Sequence, residues 1–168
     1  MRPWQNKVLT TDDVCPSNLK YWNYWLEIKE QYPETKLIAF VIANYRGIEN
    51  ISRSSEFFDW WVANKDWVTV GVHGYDHLRP QEGFREDQEA YIQAATNILK
   101  PFLPENFLYR PPGFRVLAKT EGILRKLGFA GIAHQTTIKW FDGHLEVPYN
   151  THCGAEYFNP VAQWKSWR

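Results

Sequence analysis

Cysteine is scarce in this sequence: Cys15 and Cys153 are the only two in 168 residues. That excludes a disulfide-dense secreted scaffold, in which a small chain is held by several bridges. Long apolar runs are missing too, and none approaches the roughly 20 residues that cross a bilayer as a helix. The opening stretch MRPWQNKVLTTDDV lacks the apolar core of a signal peptide. The expectation is a soluble, cytoplasmic protein. Neither sign of charge is in excess, with 19 basic and 19 acidic residues, so no nucleic-acid or anionic-membrane partner is expected. Internal repeats, low-complexity tracts and linkers are also missing, which leaves residues 1–168 as one domain, long enough to bury a proper core.

Aromatic residues, by contrast, are abundant at 17%, with nine Trp. Several come in pairs or near-pairs: Trp22 with Trp25, Trp60 with Trp61, Trp164 with Trp167. Such faces suit sugar rings, and they suit helix packing equally well. Along the chain, NKVLTT (6–11) reads as a strand. SNLKYWNYWLEIKEQYP follows as an amphipathic helix with Ser17 as N-cap and Pro33 as its end. KLIAFVIA (36–43) is a buried-strand run, 54–65 a helix, WVTVGV a strand, 85–103 a long helix, and NFLY a short strand before RPPGF. A helix over 116–127 closes at Gly128, and FAGIA (129–133) is a short strand. Alternating strand and helix implies a parallel sheet or barrel. Alternation around Asp142-Gly143 then signals a β-hairpin. The tail from 155 onward carries no clear pattern.

Polar groups fall at the ends of these strands. Asp12 and Asp13 end the first, His73 the third, Arg110 the fourth, and Thr151-His152 the last. In a parallel β/α barrel all carboxyl ends open on one face. Each signal alone has a plain alternative. His73 and His77 in HGYDH can turn toward one ion, since neutral imidazole is a favoured zinc ligand, but that spacing also arises by chance. Asp12 and Asp13 repel unless a cation lies between them, but they also fit an N-cap or Asx-turn. Arg110, on the rigid Pro-Pro-Gly loop, suits a forked grip on a carboxylate, or simply a solvated turn. Cys15 and Cys153 could be extra ligands or a redox pair, or small packing thiols.

Taken jointly, TTDD, HGYDH, RPPGF and YNTH resemble, in order and spacing, the motifs T-F-D-D, H-S/T-x-x-H, R-x-P-x-G and L-x-H of the polysaccharide deacetylases, carbohydrate esterase family 4, over residues 8 to 152. The resemblance implies a compact, distorted (β/α)7-type barrel, here with a parallel sheet and a C-terminal hairpin. It implies one divalent metal, zinc first, with cobalt, nickel or iron as alternatives, held by Asp13, His73 and His77. Asp12 corresponds to the catalytic base, Arg110 to the residue that orients it, and His152 to the general acid. Pro112, Gly113 and Trp140 are the candidate substrate-binding residues. The sequence departs from the pattern at Gly74, where relatives carry Ser or Thr, at Thr11, where they carry an aromatic, and in Pro-Pro-Gly-Phe. Trp140 and Asp142 are the candidates for a fourth motif, and the hairpin turn already accounts for Asp142. A seven-unit barrel leaves about 24 residues per unit in this chain, against roughly 250 residues for a typical eight-unit barrel, so substrate loops are few.

The activity implied is metal-assisted removal of N-acetyl groups from an amino sugar or glycan, with a small or intracellular substrate favoured. Two alternatives stay open: hydrolysis of a non-sugar C–N bond on the same barrel, and a non-catalytic carbohydrate-binding protein on a decayed deacetylase scaffold.

Overall fold

The computed structural model describes residues 7–78 and 85–152. Its framework is a mostly parallel eight-stranded sheet. β1 (Val8–Val14), β2 (Leu37–Val41), β5 (Val68–Val72), β6 (Leu108–Tyr109), β7 (Gly131–Ala133) and β10 (Pro148–His152) run parallel, while β8 (Ile138–Trp140) and β9 (Leu145–Glu146) continue the sheet antiparallel. The order is β10-β1-β2-β5-β6-β7-β8-β9, and among the described residues no ladder joins β10 to β9. A small separate hairpin, β3 (Asn44–Tyr45) and β4 (Glu49–Asn50), leaves the carboxyl end of β2. This is the α/β architecture expected, with β8 and β9 supplying the hairpin around Asp142-Gly143.

Helices α1 (Asn23–Gln31), α2 (Ser55–Asn64), α3 (Gln88–Leu99) and α4 (Thr120–Lys126) connect the parallel strands. α2 begins as its sequence dictates: the Ser54 hydroxyl accepts from the Phe57 N–H at 3.1 Å, satisfying one of the orphan donors of the first turn. The segment before α1 differs from expectation. Ser17 is not an N-cap; it lies inside a 3-10 turn, Pro16–Tyr21, whose cap position is Cys15. α1 proper starts only at Asn23, because Pro16 can open a helical turn without needing an N–H partner.

The tryptophan pairs among the described residues resolve as packing. Trp22 stands edge-on to Trp60, with centroids 4.9 Å apart, and lies 5.9 Å from Trp67 and 6.3 Å from Trp25. Its indole N–H donates to Asn64 Oδ1 at 3.1 Å, and the Asn64 amide donates to the Trp60 carbonyl at 2.7 Å. The cluster locks α1 and α2 against the sheet, and truncating the buried Trp25 to alanine costs about 3–5 kcal/mol. Trp164 and Trp167, and with them the tail from 155, lie outside the described residues.

Candidate metal and hydrolytic site

The carboxyl end of β1 answers how two adjacent aspartates can serve one pocket. Side chains of neighbours on a regular strand point to opposite faces. Here Thr11 pairs with Ala39 and Val14 with Val41, so two residues of β1 stand against one of β2. Such a bulge bends the strand and re-aims a side chain. The extra residue is accommodated by Asp13 in the left-handed region, at φ 56, a conformation that costs a non-glycine residue of order 1 kcal/mol or more and gathers at functional sites. Asp12 stays buried beneath, and Asp13 turns outward to meet the histidines.

Those come from the loop after β5. His73 Nε2 lies 3.1 Å and His77 Nε2 3.3 Å from the same Asp13 oxygen, Oδ1. The three ligand atoms all fall within 4.8 Å of one another. Ligands at about 2.0–2.1 Å from a tetrahedral zinc ion stand roughly 3.3 Å apart, so the set fits one divalent cation. His73 Nδ1 lies 2.8 Å from the Arg110 carbonyl. A proton on Nδ1 donates there and leaves Nε2 free as a ligand, the usual support for a metal-bound histidine. Burial disfavours the His73 imidazolium, but the hydrogen bond and charge of Asp13, then Asp12 and the Arg110 carbonyl, outweigh it and raise the pKa. Burial and the neighbouring His73 push His77 the other way, below its ordinary value. A cation in place of the proton relieves this conflict.

Gly74, at the position where the motif resemblance leads one to expect Ser or Thr, has φ 79, which only glycine adopts without strain. The loop is fixed by other means. The chain leaving β2 donates three backbone hydrogen bonds to it, from Ala43 to the Gly74 carbonyl (3.2 Å), Asn44 to Tyr75 (2.6 Å) and Arg46 to Asp76 (2.9 Å). Asp76 is itself buried, accepting from the Leu78 N–H at 3.0 Å and from the Tyr91 hydroxyl of α3. His77 then takes φ 59, so two of the three candidate ligands sit in left-handed backbone.

Beneath the candidate ligands lies an ion pair removed from water. Arg110 is 0% and Asp12 1% exposed, and the guanidinium Nη1 donates to Asp12 Oδ1. Arg110 Nε reaches the Ala133 carbonyl at 3.3 Å, and the guanidinium lies over the Phe40 ring at 4.2 Å. Phe40 fits because residue 71 is glycine: a Cβ there would come within 2.6 Å of the ring. The RPPGF loop follows as a short 3-10 turn, Pro112–Phe114, with Gly113 at φ 65 and Phe114 at φ 55, and it brings the Phe114 ring to 5.8 Å from the guanidinium.

The remaining candidates divide. His152 pairs in register with Asp12, so the last strand ends beside the first carboxylate. Trp140 goes elsewhere. It pairs with Gly131 at the amino end of β7, the sheet end opposite the aspartates, and its indole donates to Glu146 at 2.8 Å. The antiparallel turn of β8 carries it there, and it does not join the other candidates. Asp142 accepts from the His144 N–H at 2.9 Å within the hairpin turn. Cys15 is a buried free thiol, raised to about 11 chiefly by burial; Cys153 lies outside the described residues. Sequence reasoning missed Asn150, Thr10 and Phe40 around Arg110, and Asp76 with Tyr91 behind His77. It also missed His134 at the carboxyl end of β7, whose pKa is lowered by burial and then by Lys139 and Arg110.

No family model and no curated protein matches the chain. Solved structures do. The chain is similar to a carbohydrate esterase family 4 pseudoenzyme from Bacillus anthracis (13% identity, 98% of this chain and 61% of that one, TM-score 0.64). It is similar to a Streptococcus pyogenes deacetylase in complex with acetate (16%, 94% and 69%, TM-score 0.62). A family 4 acetyl xylan esterase from Clostridium thermocellum, in complex with a cobalt ion, also matches (12%, 95% and 79%, TM-score 0.62). The fold is therefore that of the family 4 deacetylases. The chain spans 61% of the Bacillus anthracis pseudoenzyme and 45% of a mutant of it with restored activity.

Proposed function

We propose that this protein is a metal-dependent hydrolase that removes N-acetyl groups from an amino-sugar or glycan substrate. The observation that carries the reading is the adjacency of two units: the Asp13, His73 and His77 atoms grouped for one cation, and the buried pair of Arg110, just after β6, with Asp12, which precedes Asp13 on the bulged end of β1. Asp13, His73 and His77 would hold one divalent ion, zinc being the first choice and cobalt, nickel or iron alternatives, which would supply Lewis acidity at the amide carbonyl. Asp12 accepts the proton of the attacking water. Arg110 holds and orients that carboxylate through its hydrogen bond to Oδ1, and His73 keeps its ligand nitrogen aimed through the Arg110 carbonyl. His152, in register with Asp12, protonates the departing amine, since nitrogen leaves poorly as an anion. Acetate and a free amine are the products. Pro112 and Gly113 shape the wall of the substrate groove.

Fold likeness alone does not carry this, because the same fold serves pseudoenzymes. The non-catalytic reading is the one specific alternative, and a complete Asp-His-His set weighs against it. Metal content of the purified protein, paired with acetate release from a panel of acetylated amino sugars, is the test. Asp13→Ala and His77→Ala lose metal, whereas Asp12→Asn keeps metal and loses turnover. A metal-free parent that binds glycans without releasing acetate would favour the alternative.

A further inference from the structure

Asn150 is absorbed by no part of the reaction above, yet it closes the hydrogen-bond ring around Asp12. Its register on β10 is opposite Thr10, and Asp12 lies two residues further along β1, so Thr10 and Asp12 share one face of the sheet. Asn150 Oδ1 accepts from Thr10 Oγ1 at 2.8 Å and from Arg110 Nη1 at 2.5 Å. The guanidinium can only donate, so the amide atom facing it is the oxygen. The NH2 is thereby aimed at Asp12, and Nδ2 donates to Oδ2 at 3.1 Å. Arg110 holds the other carboxylate oxygen, Oδ1. Each oxygen of Asp12 thus has its own fixed donor, and Arg110 and Asn150 are locked to one another. A carboxylate gripped by arginine alone can pivot about that contact; a second donor from a different strand removes the pivot.

We infer that Asn150 is a positioning residue that sets the orientation of the Asp12 carboxylate through its side-chain amide. This rests on the hydrolase reading for its catalytic consequence, but not for its geometry. The structural arm of the test needs neither metal nor substrate. In the metal-free full-length protein the Asn150 side-chain NH2 cross-peak, assigned by its loss in Asn150→Leu, is shifted downfield in one proton. That shift collapses in Asp12→Ala. A side-chain signal at the random-coil position, or one unmoved by Asp12→Ala, overturns the inference whatever the enzyme does.

The kinetic arm uses two variants. Asn150→Leu removes both halves of the amide; Asn150→Asp keeps size and the acceptor for Arg110 and Thr10 but replaces the donor. If Asn150 only packs, the uncharged Asn150→Leu, close to it in volume, keeps the parental activity. If it positions Asp12, both variants lower kcat by about 10- to 100-fold, as expected for a lost hydrogen bond to a charged group. KM stays within about twofold, because the contact is not to substrate. Cobalt stoichiometry stays at the parental value. Loss confined to KM, or full activity in Asn150→Asp, overturns the positioning role. A parent without acetate release or metal instead contradicts the hydrolase reading and leaves the structural arm to decide Asn150.

Discussion

Replacing Arg110 with methionine leaves the Asp12 carboxylate, 1% exposed, without its cation. Breaking a buried ion pair from one side costs about 3–5 kcal/mol, most of it the uncompensated charge left behind. In urea, with a slope of about 2 kcal/mol per molar for a domain of this size, the unfolding midpoint falls by roughly 1.5–2.5 M. Much of this is recovered by neutralising the partner: Asp12→Asn in the Arg110→Met background restores about 1–3 kcal/mol. The assay is equilibrium unfolding followed by far-ultraviolet circular dichroism, with a chelator present so that metal binding adds nothing to the folded state. Additive losses, within about 0.5 kcal/mol, would refute the claim that the two charges are coupled. A silent Arg110→Met would refute their burial.

Gly71→Ala drives a Cβ into the Phe40 ring and, through it, the bed of Arg110; overpacking of this kind costs about 1–3 kcal/mol, read as a lower melting temperature. Cys15 holds its proton up to about 11 in the folded state, against 9.0 ordinarily. The unfolded chain therefore releases that proton first, and stability falls as pH rises from 9 to 11, by at most about 2–3 kcal/mol. Urea unfolding at pH 8 and 10.5 shows this loss in the parent and less of it in Cys15→Ala. For the metal-free protein, His73 titrates above its ordinary 6.5. Its contribution is complete below that value and fades as pH climbs through the folded pKa, whereas metal affinity strengthens over the same range because the proton must leave. Opposite pH slopes for apo-protein stability and cobalt affinity are the outcome to expect.

Much of the fold follows from pattern alone. The apolar runs at 36–43 and 67–72 become β2 and β5, and Ser54 caps α2 as its chemistry requires. The start of α1 was hidden because Pro16 and the polar Ser17 permit either a cap or a tight turn, and the choice depends on tertiary contacts such as the Ser17 N–H to Glu49 bond. Strand ends pointed correctly to Asp13, His73 and His77 as neighbours, since parallel strands must open on one face. The device that makes Asp12 and Asp13 work together, a bulge with one left-handed residue, leaves no mark in the letters TTDD. Trp140 misled because a hairpin reverses direction and delivers its residues to the other end of the sheet. Asn150 was recoverable in principle: a residue two before His152 on a strand shares its face, but only the register with β1 shows that Thr10 stands opposite.

The proposed function depends on a single cation being held by Asp13, His73 and His77. Calorimetric titration of the metal-free protein with cobalt(II) tests it most directly. One ion should bind per chain in the parent and none with comparable affinity in Asp13→Ala. A parent that takes up no cobalt, or an Asp13→Ala protein that binds it as tightly as the parent, contradicts the account.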